Sequence, residues 1–422
     1  MLSDISKSES ITIWGKGREG TAVADFIRRE FPSCRIKTVE DPLTEPLSGI
    51  VVKSPGISLY RDEIRNSSAV FTSGTNLFLE KCYESKRRPF LIGVTGTKGK
   101  STTSSLIVHL LSAQGRKVAL GGNIGEPVIG YAGKIDSLDV VVDEISSYQA
   151  ADLQYSFDVC VILNLYPEHI DWHRTHDRYY RDKLNIQAHR MNGQKVVLNK
   201  EDARTKEYLP SARDAVFFND TAGISEHDGW FWKSGERLFE TSVVPLKGEH
   251  NLKNVCAALT AVELAGGDLK ACAQALKTFK ALPHRLSFCC EKGGVCFIDD
   301  SISTTPETAI AALKAFAPQP IILIAGGYDR CQDYKELASF IASGGAKAVV
   351  TLPDTGERLA RDVWAAGGKA YETSNMREAV LKAFSLAHGG DIVLLSPASP
   401  SYGIYKNFEE RGDLFAKEVS EL

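Results

Sequence analysis

Gly93-Val94-Thr95-Gly96-Thr97-Lys98-Gly99-Lys100-Ser101-Thr102 is the stretch that decides how this chain is read. An apolar run, Phe90-Leu91-Ile92 with Val94, leads in with the pattern of a buried strand, and Thr102 through Val108 leads out as a helix. Gly96 and Gly99 let backbone N–H groups close around phosphate oxygens, Lys100 adds a point charge, and the Ser101 hydroxyl is suited to Mg²⁺. The stretch predicts a cradle for a nucleoside triphosphate, with ATP as the working ligand. Its spelling departs from Gly-x4-Gly-Lys-Ser, which requires glycine at position 94, where Val94 stands. A glycine-rich turn that merely joins a strand to a helix is the plain alternative, and Gly-Lys-Ser-Thr at a strand-to-helix junction weighs against it.

At 422 residues the chain has room for two or three cores. A formal net charge of -3 offers no polybasic surface, so neither nucleic acid nor a membrane is an expected partner, and nucleotide binding has to be local. No apolar run reaches the length of a bilayer span, and MLSDISKSES lacks the charged-then-apolar signal pattern, so a cytoplasmic protein is expected. Nine cysteines without a Cys-x2-Cys pair read as reduced, mostly buried thiols.

Three segments each begin with a strand, a turn and a helix. In the first, Ile11 to Trp14 runs into Gly15-Lys16-Gly17-Arg18-Glu19-Gly20 and a helix expected from Thr21 to about Glu30. Ile50 to Lys53 reads as another strand, ending in Ser54-Pro55-Gly56. The second segment continues past the cradle with strands at Val118 to Leu120, Asp139 to Val142, Val159 to Leu163 and Lys195 to Leu198, and a helix at Asn251 to Ala265 closes it. The third has strands at Val295 to Ile298, Pro320 to Ile324, Ala348 to Thr351 and Asp391 to Leu395. Strands alternating with helices predict parallel α/β sheets throughout. The predicted architecture is α/β with three domains: a Rossmann-like domain over 1–89, a central P-loop-type parallel sheet over 90–282, and a Rossmann-like domain over 283–422.

Ligands of open parallel sheets sit at the carboxyl ends of strands, and several polar clusters fall there. Glu144 follows one strand and is a candidate to complete Mg²⁺ coordination with Ser101; a capping carboxylate is the alternative. His169, His173 and His176 have a spacing that would align on one helix and suggest zinc, but Pro167 and the preceding strand place His169 in a loop, and one histidine at a Mg²⁺-phosphate site is the favoured reading. Arg285 could neutralise developing phosphoryl charge, and Asp300 could accept from a ribose hydroxyl or purine. The hydroxyl-rich stretch from Ser396 to Phe415 suits a substrate bearing a carboxylate.

Taken in order, the phosphate loop, Asn123-Ile124-Gly125, Glu144 with Ser146-Ser147, Asn164 through His169, Lys183-Leu184, His250-Asn251 with Asn254, His284-Arg285, Asp300-Ser301, and Lys406-Asn407-Phe408 with Arg411-Gly412 resemble the Mur ligases of peptidoglycan synthesis, most nearly their glutamate-adding member. The Thr-Gly-Thr-x-Gly-Lys-Ser spelling of that family accounts for Val94. The resemblance spans the whole chain and implies an ATP-dependent amide ligase that adds glutamate to UDP-N-acetylmuramoyl-L-alanine through an acyl phosphate. D-glutamate is the favoured isomer and L-glutamate the alternative.

It further implies the site residues. Lys100, His169, Lys183 and Arg285 would serve catalysis. Gly96, Thr97, Lys98, Gly99, Lys100, Ser101, Thr102, Asn254, Arg285 and Asp300 would hold ATP. Gly17, Arg18, Glu19, Ser54, Pro55, Gly56 and Asn123 would hold the UDP-sugar. Ser101 with Glu144 would form one Mg²⁺ site, and His169 with a carbamylated Lys183 a second. Thr304, Arg330, Ser401, Tyr402 and Phe408 would hold glutamate. Two departures from the family pattern fall in or near that last group: Ile302 and Arg330 stand where the family has lysines. A guanidinium grips a carboxylate in a different geometry from an ammonium, so the handedness of the amino acid turns on these positions. A single chain carrying all these positions makes a monomer sufficient. The competing readings are another Mur-type ligase, either for a different amino acid or folylpolyglutamate synthase-like, and a P-loop regulatory or transport ATPase, which would leave the third domain without a role.

Overall fold

Runs of β-branched residues bounded by glycine turns and amphipathic helices build three sheets in this computed structural model, which describes residues 1–422. The strands are β1 (Ser10–Trp14), β2 (Arg35–Val39), β3 (Ile50–Lys53) and β4 (Val70–Thr72) in the first sheet, ordered β2-β1-β3-β4 and parallel throughout. The second sheet holds β5 (Phe90–Thr95), β6 (Val118–Gly122), β7 (Val140–Glu144), β8 (Val159–Ile162), β9 (Lys195–Asn199), β10 (Ala215–Phe218), β11 (Ile224–His227), β12 (Trp230–Lys233) and β13 (Glu236–Glu240). Its order is β13-β12-β11-β10-β9-β8-β5-β7-β6. The third holds β14 (Ser287–Lys292), β15 (Val295–Asp299), β16 (Ile321–Gly327), β17 (Ala348–Asp354), β18 (Ala370–Glu372) and β19 (Ile392–Leu395), ordered β14-β15-β19-β16-β17-β18.

The chain divides into two compact units, Met1–Val244 with His250–Phe279, and Pro245–Glu249 with Lys280–Leu422. The first unit carries the first two sheets over one continuous apolar core that runs from Ile11, Ile13 and Phe26 through Leu77 and Phe78 to Leu91, Val141 and Leu198. Each such fully buried side chain contributes about 1.5–3 kcal/mol relative to exposure. The second unit packs Ile298, Leu313 and Leu323 on one face of its sheet, and Phe297, Val350 and Phe415 on the other.

Strand order places the crevices. In the second sheet β5 lies between β7 and β8, so the winding reverses at its carboxyl end, where the phosphate loop emerges. In the first sheet the same reversal falls at β1, just before Gly15 to Gly20. In the third it falls at β19, between β15 and β16, which gathers Asp300, Gly327 and Ser396 at one edge.

Two expectations need correcting. The second and third sheets are not parallel to their ends: β11, β12 and β13 pair antiparallel as a meander, and β14 pairs antiparallel with β15. The helix expected from Thr21 starts at Arg18, because Gly17 is its N-cap and the helix Arg18–Glu30 begins directly on the glycine turn. All nine cysteines are free, five of them buried, and no helix is long and apolar enough to cross a membrane.

Candidate active site

Val94 is fully buried inside β5, so the loop starts only at Gly96. Gly93 is a packing residue, since a Cβ there would strike the Phe157 ring. Gly96 (φ +152) and Gly99 (φ +86) both lie in the left-handed region, and Gly99 caps the helix Lys100–Ser112, whose first turn aims its N–H groups into the loop. Asn164 braces the loop: Thr97 N donates to its carbonyl (2.9 Å), Lys98 N to its Oδ1 (2.8 Å), and its Nδ2 donates to Lys98 O (3.0 Å). Lys98 Nζ pairs with Glu168 at 2.7 Å. Lys100 Nζ donates to Gly96 O (3.0 Å) and Thr97 O (3.1 Å). Thr102 follows on the same helix, and Asn254 comes to the loop from helix Glu249–Leu264, where its Oδ1 lies against Gly99.

The metal-ligand candidates converge on this loop. Glu144 is buried at the end of β7; Asn123 Nδ2 donates to its Oε1 at 2.7 Å, while Oε2 is buried with no hydrogen-bond partner. His169 sits in the loop before helix Ile170–His173 at φ +56, its Nδ1 2.9 Å from Tyr148 OH. Burial, with help from Lys183 and Lys100 and against Glu168, pushes its pKa down to about 4, which leaves a neutral imidazole. Lys183, on helix His176–Leu184, is buried and donates to Gly96 O at 3.0 Å. Burial first, then Lys100, drives its amine well below the ordinary lysine range. A hydroxyl, an orphaned carboxylate oxygen and a neutral imidazole form a donor set that fits Mg²⁺ beside phosphate, and the neutral amine is the form of Lys183 that reacts with CO₂. His173 and His176 stand apart: His173 ends the short helix with its ring nitrogens against Asp182 and Ser147, and His176 opens the next.

Gly17, Arg18, Glu19, Ser54, Pro55, Gly56 and Asn123 all line one cavity at the carboxyl ends of β1 and β3. Trp14, Glu40, Asp41, Ser146, Tyr148 and Gln149 are also part of its wall, and sequence reasoning gave none of them a role. Asp41 follows the second strand of a glycine-turn unit, a signal that was available. Burial and Asp152 raise the Glu19 carboxyl to about 7, against the pull of Lys53, whose fully buried ammonium lies 2.9 Å from Asp152.

In the second unit, Asp300 is buried at the end of β15 and accepts from Ser303 Oγ (2.5 Å), Ser396 Oγ (2.8 Å) and Leu286 N (3.3 Å). Burial raises its carboxyl to about 7, and Arg285 is among the groups that oppose the rise. Arg330 is exposed with its guanidinium 5.5 Å from the Tyr402 ring centroid, and Tyr328 meets the same ring edge-on. Ser401 is buried beside them. Thr304 O accepts from Gln332 at 2.8 Å, and Phe408 packs edge-on against His284. Arg411, fully buried, ties these loops together by donating to Ser301 Oγ, Ser301 O and Ser399 O.

A phosphate loop braced by Asn164, a buried amine reaching into it and three α/β sheets define a nucleotide-dependent enzyme of the P-loop class. Residues 94–262 match the Mur ligase middle domain and residues 284–399 the Mur ligase glutamate ligase domain. The UDP-N-acetylmuramoyl-L-alanine--L-glutamate ligase of Xanthomonas campestris pv. campestris (strain 8004) is 35% identical over 97% of this chain and 95% of its own. The enzyme of the same name from a Micromonospora species is 37% identical over 99% and 98%. The UDP-N-acetylmuramoylalanine--D-glutamate ligase of Geobacillus kaustophilus is 34% identical over 90% and 85%. Among solved structures, the MurF ligase of Thermotoga maritima in complex with ADP superposes with a TM-score of 0.65 at 19% identity, covering 99% of this chain and 97% of that one. The chain belongs to the Mur ligase family.

Proposed function

We propose that this chain is an ATP-dependent, ADP-forming amide ligase that joins glutamate to the alanyl carboxylate of UDP-N-acetylmuramoyl-L-alanine, with L-glutamate as its amino acid. The carboxylate oxygen attacks the γ-phosphorus of ATP and the bond to the β-phosphate oxygen breaks, giving an acyl phosphate and ADP. The glutamate amine then attacks the acyl carbon, loses a proton, and the carbon–oxygen bond to phosphate breaks. The single observation that carries this reading is Lys183: a buried amine, its pKa driven down by burial and by Lys100, that donates into the phosphate loop suits conversion to a carbamate, which simple ATP hydrolysis does not require.

In this reading Gly96 to Thr102 and Asn254 hold the triphosphate, with Lys100 placed to neutralise charge that develops on transfer. Ser101 and Glu144 would hold one Mg²⁺, and His169 and carbamylated Lys183 a second; when bound, the ions supply charge neutralisation on the phosphates. Gly17 to Glu19, Ser54 to Gly56 and Asn123 take the UDP-sugar, a role supported by their shared cavity. In the second unit, Arg285 and Asp300 are assigned to ATP, and Thr304, Arg330, Ser401, Tyr402 and Phe408 to glutamate. The 1–89, 90–282 and 283–422 spans are assigned to nucleotide-sugar, ATP and amino acid respectively. A cytoplasmic monomer suffices for all of these roles.

Sequence alone favoured D-glutamate. Two relatives named for the L isomer span 97% and 99% of this chain, against 90% for the one named for the D isomer, and Ile302 and Arg330 alter the charge of the assigned pocket. The test is phosphate release from ATP with UDP-N-acetylmuramoyl-L-alanine and either glutamate isomer. Release with L-glutamate is expected. Release with D-glutamate alone would overturn the isomer, and none with either would overturn the ligase.

A further inference from the structure

Between the loop after the Ser54-Pro55-Gly56 turn and the helix that carries Lys183 runs a hydrogen-bond network to which no role has yet been given. Tyr60, past the Ser54-Pro55-Gly56 turn, donates its hydroxyl to both oxygens of Asp182 (2.8 and 2.9 Å). Asp182 Oδ2 is 2.6 Å from His173 Nδ1, and His173 Nε2 is 3.0 Å from Ser147 Oγ. His173 is fully buried. One imidazole therefore joins the serine turn after Glu144 to the helix that carries Lys183, and Asp182 extends the link to the sugar loop.

A second set of contacts runs in parallel. Trp172 Nε1 donates toward Pro55 O and Gly56 O, each at 3.1 Å, Ser58 Oγ donates to Trp172 O (2.7 Å), and Arg174 Nη2 to Tyr60 O (3.0 Å). The Trp172 ring stacks on Tyr148, which itself lines the cavity and touches His169. The short helix Ile170–His173 lies between two non-glycine residues in the left-handed region, His169 (φ +56) and Arg174 (φ +72). Such a conformation is not the local preference of either residue, so partners outside the helix hold it.

A buried polar network that only satisfies its own donors would be the bland account. This one joins the three pieces of chain that carry Glu144, His169 and Lys183 and anchors them to the wall of the sugar cavity. We propose that Tyr60, Asp182 and His173 are positioning residues that couple the nucleotide-sugar loop to the cation ligands, so that filling the sugar cavity tightens divalent-cation binding. By linkage the cation tightens sugar-nucleotide binding by the same factor. The inference rests on the ligase reading above.

The test is Mn²⁺ binding to the full chain with ADP present, read from the electron paramagnetic resonance of free Mn²⁺, with and without UDP-N-acetylmuramoyl-L-alanine. The native chain is expected to bind Mn²⁺ about fivefold or more tightly when the sugar nucleotide is present, the usual lower range of such coupling. Tyr60→Phe, which removes one hydroxyl, should reduce that factor below about twofold with Mn²⁺ affinity in the absence of sugar nucleotide and the melting temperature held, since coupling and not the site is lost. Asp182→Asn should do the same. An unchanged factor in both variants, or no coupling in a native chain that turns over glutamate, would overturn the proposal. A native chain that turns over neither isomer would instead overturn the ligase reading itself.

Discussion

Lys100 and Lys183, on different helices, both donate to the carbonyl oxygen of Gly96, each at 3.0 Å. Lys100 is half-buried and has a second acceptor in Thr97 O at 3.1 Å, whereas Lys183 is fully buried, and burial with the neighbouring Lys100 drives its pKa well below the ordinary lysine range. The same contact places that amine at the mouth of the phosphate loop.

Replacing it should be severe. Lys183→Ala is expected to lower kcat by roughly 10²–10³-fold, the scale of losing one group that stabilises transition-state charge. Activity of the native chain should also fall in CO₂-depleted buffer and return with bicarbonate, whereas the variant should respond to neither. Full activity of Lys183→Ala in a phosphate-release assay would sink the carbamate.

Gly99→Ala should weaken ATP selectively. Its φ of +86 is strained for any residue with a Cβ, at about 1 kcal/mol or more, and the added methyl would strike Asn254 Oδ1. The expected result is a rise of about tenfold or more in the ATP dissociation constant, since each 1.4 kcal/mol is a factor of ten. Titration calorimetry with a non-hydrolysable analogue measures it, with sugar-nucleotide binding as the unaffected control.

Asp300 gives a pH signature to stability. Its carboxyl is raised from 3.8 to about 7 in the folded chain, so the folded state holds a proton that the unfolded state has released across that window. Stability from this group is fully present below about pH 4 and is lost as pH rises toward about 7. Asp300→Asn cannot lose it, so the variant should gain on the native chain by up to a few kcal/mol between about pH 4.5 and 7.5, because each pH unit crossed inside the window removes about 1.36 kcal/mol from the native chain alone. Urea unfolding at the two pH values checks the sign; a gain in the opposite direction would refute the assignment.

Arg330→Ala should raise the KM for glutamate by about 10–100-fold, as loss of a charged hydrogen-bond donor to a carboxylate does, and leave the KM for ATP alone. Steady-state kinetics with each substrate varied in turn separates the two. Equal effects on both would remove Arg330 from the amino-acid site.

Much of this was legible in the sequence because it is local. Buried parallel strands announce themselves as apolar runs, and β5, β7, β8 and β9 fall within a residue or two of where those runs placed them. The antiparallel meander carries an equally local signal: Asp228-Gly229 and Ser234-Gly235 are two-residue hairpin turns with both residues at positive φ, and Phe231 is fully buried between half-buried Trp230 and Trp232. Other features have no local trace. Trp172 reaches Pro55 across 117 positions and Tyr60 reaches Asp182 across 122, and neither spacing belongs to any helical or strand period. Lys183 has the sequence surroundings of an ordinary solvated helix lysine, and only the fold buries it.

Asn164 meets Lys98 in both directions, accepting from its N–H and donating to its carbonyl, as a neighbouring strand would. A side chain thereby adds one more rung beyond the end of the sheet, and the phosphate loop inherits the sheet's stiffness. The entropy of ordering that loop is spent when the protein folds and not when nucleotide arrives. A triphosphate that reaches this site meets a mould already set.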